Sequence, residues 1–144
     1  MIQRSIALME KAWQRIKLPY LLFAIGIFIV EVLIATVFSG IPFIRAFLGD
    51  YLVVILLYCL IRAFWNIAPS TLSVAIFLFA CAVEIAQALH LADILGLPAG
   101  SLLSILIGTS FSWIDILMYG LGCLTAFLVD TIRLHGILPR NPSS

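Results

Sequence analysis

The sequence has few charged residues. Of its 144 residues, 8 are Lys or Arg and 7 are Asp or Glu, which makes 10 % of the chain charged, against about 25 % in soluble globular proteins. The formal net charge of +1 and the lack of a basic run argue against a nucleic-acid partner. The chain also lacks G-x-S-x-G, H-E-x-x-H and Gly-rich phosphate-loop motifs. The sequence therefore indicates no particular reaction, and no cofactor is predicted. Whether it is an enzyme stays open at this point.

Cysteine and histidine are scarce as well, with three and two residues. Cys59, Cys81 and Cys123 fall on different predicted helices and form no C-x-x-C pair, so they are predicted to be small packing residues. His90 lies near Glu84 in the sequence, and imidazole with carboxylate suits several divalent ions. A single histidine is weak evidence for a metal site, however, and no metal site is predicted.

Long apolar runs dominate the chain, which is 64 % hydrophobic with a mean hydropathy of +1.22. Runs of about 20 apolar residues match the roughly 30 Å thickness of a bilayer core. The sequence therefore predicts an all-α polytopic membrane protein, a four-transmembrane-helix bundle that forms a single domain over residues 1–144. The predicted spans are about 19–38, 46–65, 71–90 and 112–133.

Two further segments are predicted to lie at the membrane surface. In residues 1–17, apolar side chains recur at alternating steps of four and three from Ile2 to Ile16, which is typical of an amphipathic interfacial helix. Residues 91–111 are apolar but interrupted by glycine and proline. They are too broken to span, and we expect an outer interfacial or re-entrant segment between helices 3 and 4.

The basic residues predict the orientation. If the N-terminus lies in the cytoplasm, seven of the eight Lys and Arg residues fall on the cytoplasmic side and only Arg45 lies outside. We therefore expect a multi-pass protein of the bacterial inner (plasma) membrane with both termini in the cytoplasm.

Acidic residues inside the apolar runs mark the candidate site. Counting 1.5 Å per residue places Glu31 and Glu84 at the same depth, roughly 10 Å below the outer surface, and Asp50 and Asp115 about 5 Å below it. Gln87 follows Glu84 by one turn on the same helical face. A carboxylate at such depth costs on the order of 3 kcal/mol on insertion into the membrane. We therefore expect these side chains to face the interior of the bundle and to have a function.

The outer half of the protein thus carries several acids and a single cation, Arg45. Uncompensated charge is costly in a low-dielectric medium. Three explanations stay open: some acids are protonated, the site opens to water, or it binds a cation or a ligand rich in hydrogen-bond donors. Helix-end stabilisation alone would account for Asp50 and Asp115, and a neutral helix contact would account for Glu31.

Several of these acids also lie in sequence motifs that resemble those of a known protein family. The sequence contains Gly49-Asp50 in the second span, V-E-x-x-Q at 83–87 and G-x-x-F-S-x-x-D-x-x-x-Y-x-x-G at 108–122. In these motifs it resembles the VanZ-like membrane proteins, and more closely a small uncharacterised bacterial family of four-helix membrane proteins. The resemblance covers spans two to four and adds Tyr119 to the candidate residues. That family also carries an arginine soon after the E-x-x-Q helix, and this chain has none there, which leaves Arg45 as the outer partner for Glu84.

The leading hypothesis is an outer-leaflet cavity that binds a membrane lipid or a lipid-linked precursor of the cell envelope. The candidate ligand-binding residues are Glu31, Arg45, Asp50, Glu84, Gln87, Asp115 and Tyr119. The alternatives are a component of proton- or cation-coupled transport, a membrane enzyme that uses the acids in acid–base or metal chemistry, and a non-catalytic small subunit with a membrane-protein partner.

Overall fold

The computed structural model describes residues 17–37, 40, 42–98, 100–101 and 111–137, with the backbone alone at 42–46, 92 and 135–137. All regular structure within these residues is helical. Five helices follow one another along the chain: α1 (Leu18–Thr36), α2 (Pro42–Phe64), α3 (Pro69–Ala88), α4 (Leu91–Ile94) and α5 (Trp113–Ile137).

Four of the described helices are long and apolar enough to cross a membrane, namely α1, α2, α3 and α5. The prediction of four helices with the length and composition of membrane spans is thereby confirmed. Large apolar side chains are exposed along all four helices, among them Phe28 on α1 and Ile132 on α5, which suits contact with lipid. The chain is therefore a membrane protein.

Proline sets two helix starts that differ from the predicted ones. Helix α2 begins at Pro42 and not near residue 46, and α3 begins at Pro69 and not at Thr71. A proline at the first helical position lacks an N–H that would be unsatisfied there in any case, and its φ already suits a helix. Helix α3 ends at Ala88, two residues before the predicted end, because His90 adopts a left-handed φ of 51°.

The helices do not follow chain order in space. Helices α2 and α5 pack against each other at the centre, α1 packs on the outer side of α2, and α3 packs mainly on α5. The main core is formed by side chains of α2, α3 and α5, including Val54, Ile76 and Cys123, while a smaller cluster of Ala24, Leu56 and Cys59 joins α1 to α2. Helix α1 is thus separated from α3.

Gly122 lets the two central helices approach closely. A Cβ atom there would lie 2.3 Å from Val54 Cγ2 and 2.5 Å from the backbone oxygen of Tyr51. Ala126, one turn later, is also buried. Small residues at this spacing are typical of close contacts between membrane helices, and here they allow α5 to lie directly against α2.

The predicted surface segments fall largely outside the described residues. The amphipathic helix was predicted for residues 1–17, of which only Lys17 is described. Of the predicted interfacial or re-entrant segment, residues 91–98 contain the one-turn helix α4 and a turn at Gly96, whose φ of 63° is one that glycine adopts readily. Residues 102–110 lie outside the description.

Candidate functional site

Glu84 on α3 holds the beginning of α5. Ser112 precedes the first residue of α5, and its hydroxyl oxygen accepts a hydrogen bond of 3.3 Å from the backbone N–H of Asp115. In a capping box the acid three residues after the cap would bond the backbone N–H of the cap residue. Here Glu84 Oε1 accepts that hydrogen bond instead, at 2.5 Å from Ser112 N. The Asp115 carboxyl group is therefore free to point elsewhere.

Asp115 faces Asp50 on α2. The two carboxyl groups are within hydrogen-bonding reach of each other, and Glu84 is close enough to interact electrostatically with both. The Tyr119 hydroxyl, one turn along α5, donates a long hydrogen bond of 3.4 Å to Asp50 Oδ1. Two carboxyl groups form a hydrogen bond with each other only when one of them carries a proton. We call Asp50, Glu84, Asp115 and Tyr119 the acidic cluster.

One oxygen of the acidic cluster is buried without a partner. Glu84 is 0 % exposed, and among the described residues no group forms a hydrogen bond of normal geometry with its Oε2 atom, although the Tyr119 hydroxyl is close to the same carboxyl group. Within the same part of the chain the sole ion pair joins Arg62 to Asp130, at the other end of the bundle. A buried carboxylate oxygen that lacks a hydrogen bond is costly. A hydrogen-bond donor or a cation beside this oxygen would therefore stabilise the acidic cluster.

The remaining predicted site residues lie apart or cannot be placed. Glu31 is on α1, which packs against α2, and no other described ionisable group acts on it electrostatically. Its Oε1 atom is also buried with no hydrogen bond from a described residue. Gln87 is half-buried one turn beyond Glu84, and the side chain of Arg45 lies outside the description. The structure thus brings together Asp50, Glu84, Asp115 and Tyr119 but does not bring Glu31 to them.

A second polar cluster, which the sequence interpretation missed, lies at the opposite end of the bundle. Asp130 on α5 is 2 % exposed and pairs with Arg62 on α2, which is 3 % exposed, at 2.9 Å. The hydroxyl groups of Tyr58, at 2.6 Å, and Tyr20 also donate to the Asp130 carboxylate. Arg62 further donates to the backbone oxygen of Ile67 at 2.5 Å. One carboxylate thereby ties α1, α2 and α5 together.

Within the described part of the chain, cations outnumber acids around this ion pair. Arg62, Arg133 and Lys17 all lie over the ring of Tyr20, at 5.9, 5.6 and 5.9 Å from its centroid. Lys17 also donates to the side-chain oxygen of Asn66 at 2.9 Å. Partial burial lowers the pKa of the Lys17 ammonium group, and the positive charge of Arg62 lowers this pKa further. We call Lys17, Arg62 and Arg133 with Tyr20 and Asp130 the basic cluster.

Three cavities are lined by described residues, and none of the three is lined by a residue of the acidic cluster. One of about 330 Å³ lies between α3 and α5, beside Ser73 and Phe77. A second of about 210 Å³ is bounded by α1, α2 and α5 and reaches Arg133. The third, of about 360 Å³, lies between α1 and α2. The predicted cavity at the acids stays a prediction, since residues 102–110, which lie between Glu84 and Asp115 in the chain, are not described.

Fold and site together define a polytopic helical membrane protein with an acidic group at one end of its helices and a basic group at the other. A family model described as a protein of unknown function (DUF2809) matches residues 39–123, more than half of the chain. The chain belongs to this family. The match contains all four residues of the acidic cluster, whereas Lys17 and Asp130 lie outside it. No curated protein and no solved structure matches the chain significantly.

Proposed function

We propose that this membrane protein binds the polar headgroup of a lipid or a lipid-linked envelope molecule at the acidic cluster. The observation that carries the proposal is the Oε2 atom of Glu84, which is buried and has no hydrogen-bond partner among the described residues. A group that supplies donors, positive charge or both would satisfy this oxygen.

The composition of the cluster narrows the ligand to a class. Asp50, Glu84 and Asp115 offer carboxyl oxygens, and Tyr119 adds a hydroxyl group. Ammonium and hydroxyl groups bind carboxylates through charge-assisted hydrogen bonds, which are about twice as strong as neutral ones. Lipid headgroups carry such groups at the depth of a helix end, while the apolar outer surfaces of the helices suit an acyl chain.

Glu84 would serve this function in two ways. Its Oε1 atom is already used to hold Ser112 and the start of α5, so its position is fixed before a ligand binds. A carboxylate held in place by such a bond loses little conformational freedom on binding. The buried Oε2 atom, which has no partner among the described residues, would then accept a hydrogen bond from the headgroup.

Two lipids separate the contribution of hydrogen bonding from that of charge. Phosphatidylethanolamine has an ammonium group with N–H donors, whereas phosphatidylcholine has a positive charge without N–H donors. The proposal predicts that thermal stabilisation of the purified protein is greater with phosphatidylethanolamine than with phosphatidylcholine, and that Glu84→Gln removes this difference. Equal stabilisation by the two lipids, or a difference that survives Glu84→Gln, would contradict it.

Proton- or cation-coupled transport is the less favoured alternative. Glu31 and Glu84 are on helices that do not pack against each other. The apolar core formed by Val54, Ile76 and their neighbours lies between the acidic cluster and Asp130. A relay through the protein would need polar groups across this core.

A small-subunit role predicts instead that a constant protein partner co-purifies and that lipid identity has no effect on stability.

We further propose that the protein lies in a bacterial inner membrane with the acidic cluster toward the outer face. The support is the bias of basic residues in the sequence, seven of eight on one side, together with Lys17, Arg62 and Arg133 around Tyr20 at one end of the helices. Both termini then lie in the cytoplasm.

A further inference from the structure

The basic cluster has more positive charge than its own acid balances. Three cations surround Tyr20, and Asp130 pairs with Arg62 alone. Arg133 is half-buried and has no carboxylate within ion-pair distance among the described residues. Its guanidinium group therefore keeps its donors available for an anion, and planar guanidinium groups suit phosphate particularly well.

An apolar cavity begins at this cation. The cavity of about 210 Å³ is bounded by Arg133, Tyr20 and Asp130 at its polar end and continues between α1, α2 and α5. Phe23, Ile27 and Val129 line the apolar part. From Tyr20 to Ile27 it extends about 10 Å along α1, since a helix rises about 1.5 Å per residue.

The apolar surface continues beyond this cavity. Phe23 and Ile27 also line the neighbouring cavity between α1 and α2, which extends to Val30. An apolar groove with cations at the end of the helices suits one acyl chain and its phosphate. The ends of spanning helices are also where the phosphates of a bilayer are found.

We infer that the groove between α1 and α5 is a binding site for an anionic membrane phospholipid, with the phosphate at Arg133 and Lys17 and one acyl chain along Phe23, Ile27 and Val129. The buried Arg62–Asp130 pair fixes the floor of this site, because Asp130 accepts a hydrogen bond from Tyr20 and so holds the ring that Lys17 and Arg133 both approach. The site lies at the opposite end of the helices from the acidic cluster and does not depend on the function proposed there.

The test compares phosphatidylglycerol with phosphatidylcholine on the purified full-length protein. Native mass spectrometry after equilibration with equal amounts of both lipids gives the ratio of the bound species. Because a Lys or Arg near a membrane surface contributes about 1 kcal/mol toward an anionic lipid, Arg133→Gln should lower the bound ratio about fivefold. Arg133→Lys keeps the charge and should retain most of the preference.

A second pair of variants tests the cavity without changing charge. Val129 lines the cavity and is 60 % exposed, so Val129→Trp should fill the groove and displace the acyl chain without disturbing the core. Leu128, the preceding residue, is 47 % exposed and lines none of the three cavities, so Leu128→Trp is the matched control. We expect Val129→Trp to lower phosphatidylglycerol binding several-fold and Leu128→Trp to leave it unchanged.

The outcomes separate this site from weaker forms of attraction. Loss of the preference in Arg133→Gln with undiminished phosphatidylglycerol binding in Val129→Trp would mean attraction of lipid to a charged surface and would overturn the inference. Competition by soluble glycerol phosphate at the same concentration would overturn the role of the acyl chain. The preference should survive Glu84→Gln, and its loss in that variant would assign the lipid to the acidic cluster instead.

Discussion

Glu84 on α3 accepts a hydrogen bond from the backbone N–H of Ser112 at 2.5 Å. This bond joins the last turns of α3 to the residue that directly precedes α5. The second carboxyl oxygen of Glu84 is buried and has no partner among the described residues. Glu84 therefore has a structural role and an unsatisfied atom at the same time. The two can be separated by substitution.

Glu84→Ala should destabilise the protein more than Glu84→Gln. Alanine leaves the Ser112 N–H without its acceptor, which costs about 1–3 kcal/mol when the group is buried. Glutamine keeps an oxygen for this bond and removes the charge. Thermal unfolding in detergent should give a lower midpoint for Glu84→Ala and a midpoint close to that of the unmodified protein for Glu84→Gln. Equal loss in both variants would mean that the charge itself holds α3 to α5.

Gly122→Ala should weaken the contact between α2 and α5. The added methyl group would meet Val54 Cγ2 and a backbone oxygen of Tyr51, and the backbone cannot move away as a side chain would. Overpacking of this kind costs about 1–3 kcal/mol, measurable as a lower unfolding midpoint.

Gly120→Ala is the matched control for this substitution. It lies two residues earlier on the same helix, and its added atom would meet only Phe77, at 3.6 Å. Because alanine is a better helix former than glycine by about 1 kcal/mol, we expect no loss of stability there. A loss in Gly120→Ala as large as in Gly122→Ala would contradict the close α2–α5 contact.

Asp130→Asn should be among the most destabilising single substitutions in the described part of the chain. It leaves the buried Arg62 without a counter-charge, and breaking a buried ion pair in this way costs about 3–5 kcal/mol. Replacing both partners, as in Arg62→Met with Asp130→Leu, should restore much of the stability. The exposed acid Asp93 provides the control, since Asp93→Asn should leave the unfolding midpoint unchanged. An additive double variant would show that the two residues are not coupled.

Labelling of single cysteines should reveal the orientation. A membrane-impermeant maleimide applied to intact cells should modify Asp93→Cys, in the segment after α3, and spare Trp65→Cys, in the segment after α2. Both positions are exposed, whereas the natural cysteines Cys59, Cys81 and Cys123 lie inside spanning helices. The reverse labelling pattern would place the acidic cluster at the cytoplasmic face.

The spans and most of the acidic cluster could be predicted because they follow from length and depth alone. An apolar run of about 20 residues crosses a bilayer whatever its neighbours are, and counting along the helices placed Asp50, Asp115 and Glu84 in the same half of the bundle. The count set Glu84 level with Glu31 and deeper than the two aspartates, whereas the structure brings Glu84 to Asp50 and Asp115. Depth does not reveal which helices are neighbours, however. Glu31 lies at a similar predicted depth but on α1, which packs on the far side of α2 from α3.

The basic cluster was missed for a related reason. Arg62 and Arg133 were interpreted only as markers of the cytoplasmic side, which is what the positive-inside rule counts. A usable signal was present, since Asp130 is an acid within an apolar run at the same end as Arg62. Opposite charges at one depth on two helices favour an ion pair over two separate interfacial charges.

The most direct test of the central claim is native mass spectrometry of lipids bound to the purified protein, compared between Glu84→Gln and Glu31→Gln. Both acids lie within spanning helices and have an oxygen without a described partner, but only Glu84 belongs to the acidic cluster. We predict that Glu84→Gln loses bound phosphatidylethanolamine and that Glu31→Gln keeps it. Equal retention in both variants, or equal loss, would contradict headgroup binding at the acidic cluster.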